Sequence, residues 1–296
     1  MSSNPLPPLA RRTPVVTEVH GQRRVDDYHW LRNKGSRPVN AYLRAENAYT
    51  AAMMKPSQRL QDTLYREMLA RIKETDVEVP YRDGDYFYYS RTRKGKQYRI
   101  FCRRRGSVDA SEQIVLDANQ AAMGHKFFSL GVFDVSPDGN LLAFSSDTTG
   151  FRQYTLQFKD LRDGRVLADR IEKVRSIAWA SDNRSLFYVR EDDAKRAYRV
   201  YRHLLGSRDD QLIYEETDAR FSVSVSRSRS NEYLFLTSHS ATTSEVRSLR
   251  ADEPQATPAL VLARKPEHEY YVDHGHGLFY IVTNDKGRNF RLVTAP

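Results

Sequence analysis

The sequence predicts a mainly β fold: an incomplete β-propeller of about four and a half four-stranded blades, preceded by a short α-helical N-terminal segment. Three observations predict it. Five short apolar words stand out: Tyr86-Phe87-Tyr88-Tyr89, Leu141-Leu142-Ala143-Phe144, Ser185-Leu186-Phe187-Tyr188, Tyr233-Leu234-Phe235-Leu236 and Leu278-Phe279-Tyr280-Ile281. Each follows a turn rich in Asp, Gly, Asn or Ser, and the last four recur about every 44 to 48 residues. That period suits a propeller blade, whose strands cannot bury both of their own apolar faces and must lean on the next blade. Finally, the chain stops at Pro296, soon after the third strand of its fifth unit, so the sequence is expected to be the front portion of a longer protein.

Taken in order, residues 1 to about 20 are Pro-rich and read as an extended arm, because proline disfavours helix and gives up a backbone donor. Ser36 and Pro38 mark a helix start, and Val39, Tyr42, Leu43, Tyr49 and Met53 follow along one stripe. Pro56 ends that run, and Ser57 is placed to cap a second helix whose Leu60, Leu64, Met68 and Ile72 repeat every four residues. Both helices have an apolar face without a partner among the strands, so another surface is expected to cover it. From about Val77 the hydrophobic period changes to two. Asp83-Gly84, Pro137-Asp138-Gly139, Asp163-Gly164, Asp182-Asn183 and Gly275-His276-Gly277 punctuate the strands. The expected units are 77–120, 127–171, 174–215, 221–263 and a partial fifth from Glu269. The domain reading is therefore a helical segment over 1–75 and a partial propeller over 76–296. No tryptophan–aspartate repeat signature is present, and a β-sandwich is the structural alternative.

Composition sets bounds on function. A hydrophobic content of 40% with 11% aromatics supports a globular core. No stretch approaches the roughly 18 to 20 apolar residues that cross a bilayer, and Met1–Pro8 has no apolar central run to act as a secretory signal. The single cysteine, Cys102, forms no internal disulfide and reads as a packed strand residue. A cytoplasmic location follows by default. The net charge of +9 raises nucleic acid as a partner, but 13 Lys/Arg against 7 Asp/Glu fall within the first 75 residues, leaving 34 against 31 in the strand region. A nucleic-acid binder gathers its basic residues into one stripe with interleaved aromatics. The one dense cluster, Arg103-Arg104-Arg105, precedes Gly106 and reads as a solvated turn. Neither nucleic acid nor membrane is expected as a partner.

Catalytic patterns are missing. No serine has the Gly-x-Ser-x-Gly context of a nucleophile elbow, and neither a phosphate loop nor a His-Glu-x-x-His helix occurs. His274 and His276 form a His-x-His pair near Asp273 and His268, but zinc needs a third ligand with second-shell support, and a solvated hairpin turn is the reading preferred. Glu191-Asp192-Asp193 and Glu215-Glu216 read as solvated loop faces.

Several words in the sequence carry a resemblance. Asp26-Asp27-Tyr28-His29-Trp30-Leu31-Arg32 resembles the opening of the prolyl oligopeptidase family, and Tyr42-Leu43-Arg44-Ala45-Glu46-Asn47-Ala48-Tyr49 resembles the helix that follows it there. Lys94-Gly95-Lys96-Gln97-Tyr98, Gly124-His125-Lys126-Phe127-Phe128, Val135-Ser136-Pro137-Asp138 and Gln153-Tyr154-Thr155-Leu156 resemble the oligopeptidase B branch. So do Thr243-Ser244-Glu245-Val246-Arg247, His268-Glu269-Tyr270 and Phe290-Arg291-Leu292. The resemblance runs from about residue 5 to the end.

It implies a seven-bladed propeller capping an α/β-hydrolase domain with a Ser-Asp-His triad, with the N-terminal helices packed on that domain. It further implies cleavage of short peptides after Arg or Lys, with no metal or cofactor. This sequence contains no nucleophile elbow, so no triad residue is carried over and the chain alone is expected to be inactive. The expected partners are the missing hydrolase domain and, in the complete enzyme, small peptides. The role left to this portion is gating: excluding folded proteins and shielding the reaction from water. Arg152 and Lys126 are the candidate interdomain residues. The alternative is a stand-alone propeller used as an interaction module without enzymatic activity.

Overall fold

The structure, a computed structural model, describes residues 5–296 and divides into two compact units, one ending at Lys73 and one spanning Glu74–Pro296. The first four residues of the expected arm lie outside the described residues. In the first unit, Val15–Val19 (β1) and Gln22–Asp26 (β2) pair antiparallel around His20 and Gly21, both at positive φ. Such a two-residue turn matches the right-handed twist of its flanking strands. The arm reading missed this hairpin, whose signal is His20-Gly21 between Val15-Val16-Thr17-Glu18-Val19 and Gln22-Arg23-Arg24-Val25. Trp30 donates its indole N–H to the Arg11 carbonyl at 2.8 Å and packs edge-on against Tyr42. Helices α1 (Arg37–Met54) and α2 (Gln58–Ala70) are joined by a single 3-10 turn at Lys55–Ser57. Neither Ser36 nor Ser57 caps a helix with its side chain; Ser57 Oγ instead donates to the Met54 carbonyl. Leu60, Leu64 and Met68 of α2 and the following Ile72 are all exposed, as expected of an uncovered stripe.

The second unit is built from five antiparallel sheets in sequence order. The first comprises Tyr81–Asp83 (β3), Tyr86–Arg91 (β4), Ile100–Arg105 (β5) and Gln113–Asp117 (β6). A short helix, Ala118–Ala121 (α3), follows, capped by the Asp117 carboxylate. The second sheet comprises Ser129–Val135 (β7), Leu141–Asp147 (β8), Thr155–Asp160 (β9) and Val166–Glu172 (β10). Val174–Trp179 (β11), Ser185–Glu191 (β12), Ala197–Leu204 (β13) and Gln211–Glu215 (β14) form the third. The fourth holds Ser222–Arg227 (β15), Tyr233–His239 (β16), Ser244–Arg250 (β17) and Ala259–Leu262 (β18). Tyr270–Gly275 (β19), Leu278–Thr283 (β20) and Arg291–Ala295 (β21) make a three-stranded fifth. These are propeller blades, and each of the five apolar words lies in the second strand of one of them.

Second strands are apolar at consecutive positions because both of their faces are covered. In β12, Leu186 and Tyr188 pack with Ala143 and Phe158 of the second blade and with Trp179 of their own, whereas Phe187 and Val189 pack with Val223, Leu234 and Leu236 of the fourth. In β16, Leu234 and Leu236 turn back to the third blade and Phe235 turns forward to Tyr270 and Phe279 of the fifth. At roughly 25 cal/mol per Å² of apolar area removed from water, these seams supply most of the stabilisation.

Charged groups also lie within the seams. His203 of β13 is buried against the Phe158 ring, with Nδ1 2.7 Å from Asp210 and Nε2 3.0 Å from Asp169 of β10. The second Asp210 oxygen accepts from the Tyr188 hydroxyl at 2.6 Å. An imidazole that donates through both nitrogens carries a positive charge. Burial opposes that charge, but Asp210 and Asp169 outweigh it, so the His203 pKa is raised. Burial also opposes ionisation of Asp210, whose pKa is nevertheless lowered by His203 and Tyr188.

Two predictions follow from this packing. A raised histidine pKa contributes stability fully below its unfolded value of about 6.5 and loses it as pH rises through the folded value. A lowered aspartate pKa loses its contribution as pH falls through its own folded value. His203→Gln is therefore expected to destabilise most near pH 5.5, by about 3 kcal/mol, and far less near pH 9. Equal losses of melting temperature at both would refute the charged latch. The second concerns Tyr271, Val282 and Leu292, cross-strand neighbours on the far face of the fifth blade that are all exposed. Light scattering should show self-association of the purified chain, suppressed when Val282→Glu and Leu292→Glu are combined.

Candidate functional site

Antiparallel order sends the connections of each blade to opposite ends. Those from second to third strand, and from the fourth strand to the next blade, share one end. The chain also approaches the first blade there: Thr92, just past β4, donates its N–H to the Asp76 carbonyl and its hydroxyl to the Glu74 carbonyl. Arg152, between β8 and β9, and Lys126, between α3 and β7, both lie at this end with exposed side chains. The structure brings their connections together, because the Phe127 ring packs over Gly150.

Asp147 fixes the Arg152 connection. Its buried carboxylate accepts from the Thr149 N–H at 2.8 Å, the Thr149 hydroxyl at 2.6 Å, the Gly150 N–H at 3.2 Å and the Arg152 N–H at 2.7 Å. Burial opposes its ionisation, yet these donors hold its pKa below the ordinary carboxylate range. They also hold Arg152 at φ +56°, a conformation a non-glycine residue keeps only when its surroundings require it. From the neighbouring blade, Lys195 Nζ donates to the Phe151 carbonyl. The result is a braced turn that presents Phe151, 70% exposed, beside Arg152.

The same end of the third and fourth blades is laced by ions. Arg196 donates to the carbonyls of Glu216, Asp218 and Phe221, and Arg264 reaches Glu216 at 2.6 Å and Glu245 at 3.5 Å. Burial works against the charge of Glu216, and Arg264 more than offsets it, so its pKa is lowered. The reading of Glu215-Glu216 and Glu191 as solvated loop faces is corrected accordingly. Glu216 and Glu191 are both buried; Glu191 lies 3.7 Å from Arg175, and its pKa is raised by burial.

Arg103 corrects the solvated-turn reading of the arginine cluster. It lies within β5, 2% exposed, with its guanidinium 3.9 Å from the Tyr86 ring centre and donating to Gln113 and to the Gly139 carbonyl of the second blade. His274 is likewise buried rather than solvated: Nδ1 lies 2.7 Å from Ser230 Oγ and the ring packs against Tyr233 and Phe279. Among the described residues, no group of three His, Cys, Asp or Glu could hold a metal ion, and no helix is long and apolar enough to cross a membrane. Cys102 is buried, and burial together with Glu112 pushes its thiol up to about 12, so it packs rather than reacts.

Five successive antiparallel sheets with braced connections at one end define a propeller domain. Its family follows from comparison with known proteins. A family model described as "Prolyl oligopeptidase, N-terminal beta-propeller domain" matches residues 7–296, and the chain belongs to the prolyl oligopeptidase family. It is 38% identical to dipeptidyl aminopeptidase BI of Pseudoxanthomonas mexicana, over 98% of this chain and 43% of that protein. Protease 2 of Moraxella lacunata is 36% identical over the same shares. Among solved structures, oligopeptidase B from Leishmania major superposes with a TM-score of 0.88 at 31% identity, over 98% of this chain and 44% of that one. The chain thus spans less than half the length of these relatives.

Removing the Asp147 brace tests the geometry. Asp147→Ala is expected to destabilise the fold by about 2 kcal/mol and to turn the peptide bond after Arg152 into a preferred trypsin site. Unchanged cleavage kinetics in the variant would show that the connection is held by other means.

Proposed function

We propose that this chain is the gating portion of an oligopeptidase B-like serine endopeptidase that hydrolyses short peptides after Arg or Lys. In this reading residues 76–296 cap an α/β-hydrolase domain that supplies the Ser-Asp-His triad, and the helices within residues 1–75 pack on that domain. The observation that carries the proposal is the match of almost the whole chain to less than half of each of these relatives, oligopeptidase B from Leishmania major among them. Two features support it. The α2 stripe of Leu60, Leu64 and Met68 is exposed, and exposed apolar stripes of this kind mark surfaces that another body covers. Arg152 and Lys126 stand on neighbouring connections at the end where the chain approaches the first blade, a placement suited to interdomain contacts that govern closure.

No serine of the sequence stands in a Gly-x-Ser-x-Gly elbow; in this reading the hydrolase domain supplies the nucleophile, base and oxyanion donors, whose removal takes away most of the rate enhancement of a serine hydrolase. Alone it is inactive, and the assembled enzyme works in the cytoplasm without metal or cofactor. What the propeller contributes is selection by size and exclusion of water, since a rigid cap admits extended peptides and rejects folded chains.

Expressed with the hydrolase half of its own gene, the chain should restore cleavage of fluorogenic peptides after Arg or Lys, whereas the 296 residues alone show none. Arg152→Ala combined with Lys126→Ala should lower kcat/KM about tenfold, or roughly 1.4 kcal/mol, without shifting the melting temperature. Failure of complementation, or hydrolysis by the chain alone, would overturn the reading.

A further inference from the structure

Two seams bury charged groups and satisfy them internally. His203 is held by Asp169 and Asp210 between the second and third blades, and Arg264 answers Glu216 and Glu245 beside the fourth. The seam between the first and second blades buries Arg103 against Gln113 and the Gly139 carbonyl, but it also leaves open space. Residues of β9 alternate strictly, with Leu156 and Phe158 buried toward the third blade and Thr155, Gln157 and Lys159 on the opposite face. No residue of β9 or β10 joins the apolar cluster of this seam, to which the second blade contributes Leu142, Phe144 and Leu161 together with Leu130, Phe133 and Val135. A cleft of about 630 Å³ remains, lined by Thr155, Gln157 and Lys159 from β9 and by Asp117 and Gln120 from the end of the first blade. That volume falls within the range of small-molecule sites.

Lys159 is the unusual group in it. Its Nζ donates to the Val115 carbonyl at 2.9 Å, a group left out of the β5–β6 pairing by a register shift. An ammonium has three donors, so this contact uses one. No carboxylate offsets its burial, which alone lowers its pKa. Arg170 and Lys173 also line the cleft, with Lys173 tied to Asp193 at 2.5 Å. Of the two carboxylates lining the cleft, Asp117 is engaged in capping α3 and Glu172 is exposed. A half-buried ammonium with no carboxylate bonded to it and two donors to spare, amid amide and hydroxyl side chains, suits an anion.

We propose that this cleft binds a small oxyanion, a carboxylate or a phosphate group, with Lys159 as its charged anchor and Gln157, Gln153 and Thr155 as neutral donors. The site is independent of the peptidase reading. Its ligand is supplied either by the free C-terminus of a short peptide or by a phosphorylated small molecule. Calorimetric titration of the 296-residue chain with inorganic phosphate, acetyl-dialanine and acetyl-dialanine amide separates these sources. Saturable binding of at least one anion is expected, with Kd of about 1 mM, and none of the amide. Lys159→Met should weaken binding at least tenfold. Gln157→Leu, which leaves the Lys159–Val115 bond in place, should weaken it severalfold and decides the matter if Lys159→Met does not fold. Phosphate alone, acetyl-dialanine alone, or both binding would each support the site and identify its source. No saturation by either anion, amide binding equal to the acid, or wild-type affinity in a folded variant would overturn it.

Discussion

A four-stranded sheet with two apolar faces must be covered on both sides, and the rest of this structure depends on that constraint. The second strand of each blade is where it acts most strongly, because it lies within the sheet and faces both neighbouring seams. Leu186, Phe187, Tyr188 and Val189 are all buried although they point alternately to opposite sides. A strand in a half-solvated sheet would read apolar, polar, apolar. Four buried residues in succession mean that a blade stands on either side, and each blade thereby stabilises the next. The same logic explains the exposure of Tyr271, Val282 and Leu292: they occupy the positions that an adjoining blade covers elsewhere.

Close packing constrains where charge can go. In this protein the polar groups inside seams work as ties between blades. Arg103 stacks on Tyr86 and reaches the Gly139 carbonyl across the first seam, and His203 joins carboxylates on both sides of the second. Removing one partner of such a set strands a buried charge, a cost of about 3–5 kcal/mol. An apolar seam is fixed by the fit of its side chains, and directed hydrogen bonds add a further constraint on register. A seam with directed hydrogen bonds has one register, so these ties fix how successive blades sit on each other.

This division accounts for what could be read from the residues. The blades were legible because two-sided burial writes consecutive apolar residues at a fixed spacing; the expected unit 174–215 coincides with the span from Val174 to Glu215. Individual charged residues were not legible. Arg103 and Arg104 are neighbours in a run of three, yet only Arg103 is buried, because strand alternation turns it toward the second blade. Its partner, the Gly139 carbonyl, lies 36 residues away, and nothing local announces it. Glu216 presents the same difficulty, since Arg264 is 48 residues distant. The β1–β2 hairpin is hard to read for a different reason: its His20-Gly21 turn is only two residues long and follows a proline-rich stretch. Arg152 and Lys126 were found as exposed connection residues, but the Asp147 brace that makes Arg152 a fixed feature depends on a carboxylate folded back over five residues.

Rigidity at the connection end has a physical consequence for any partner that meets it. A flexible arginine surrenders up to about 2 kcal/mol of side-chain freedom when it is immobilised, and a flexible loop adds backbone entropy to that cost. Here the backbone part is already spent: four donors hold the Asp147 carboxylate, and Lys195 secures the Phe151 carbonyl from the next blade. Phe151 and Arg152 therefore offer an apolar ring and a cation from a fixed position, with only side-chain ordering left to oppose contact. Pre-organisation of this kind strengthens any contact made there, because less conformational entropy is lost on binding. The covered seams and the braced turn are thus two parts of one stiff scaffold, which holds Phe151 and Arg152 at a fixed place on its surface.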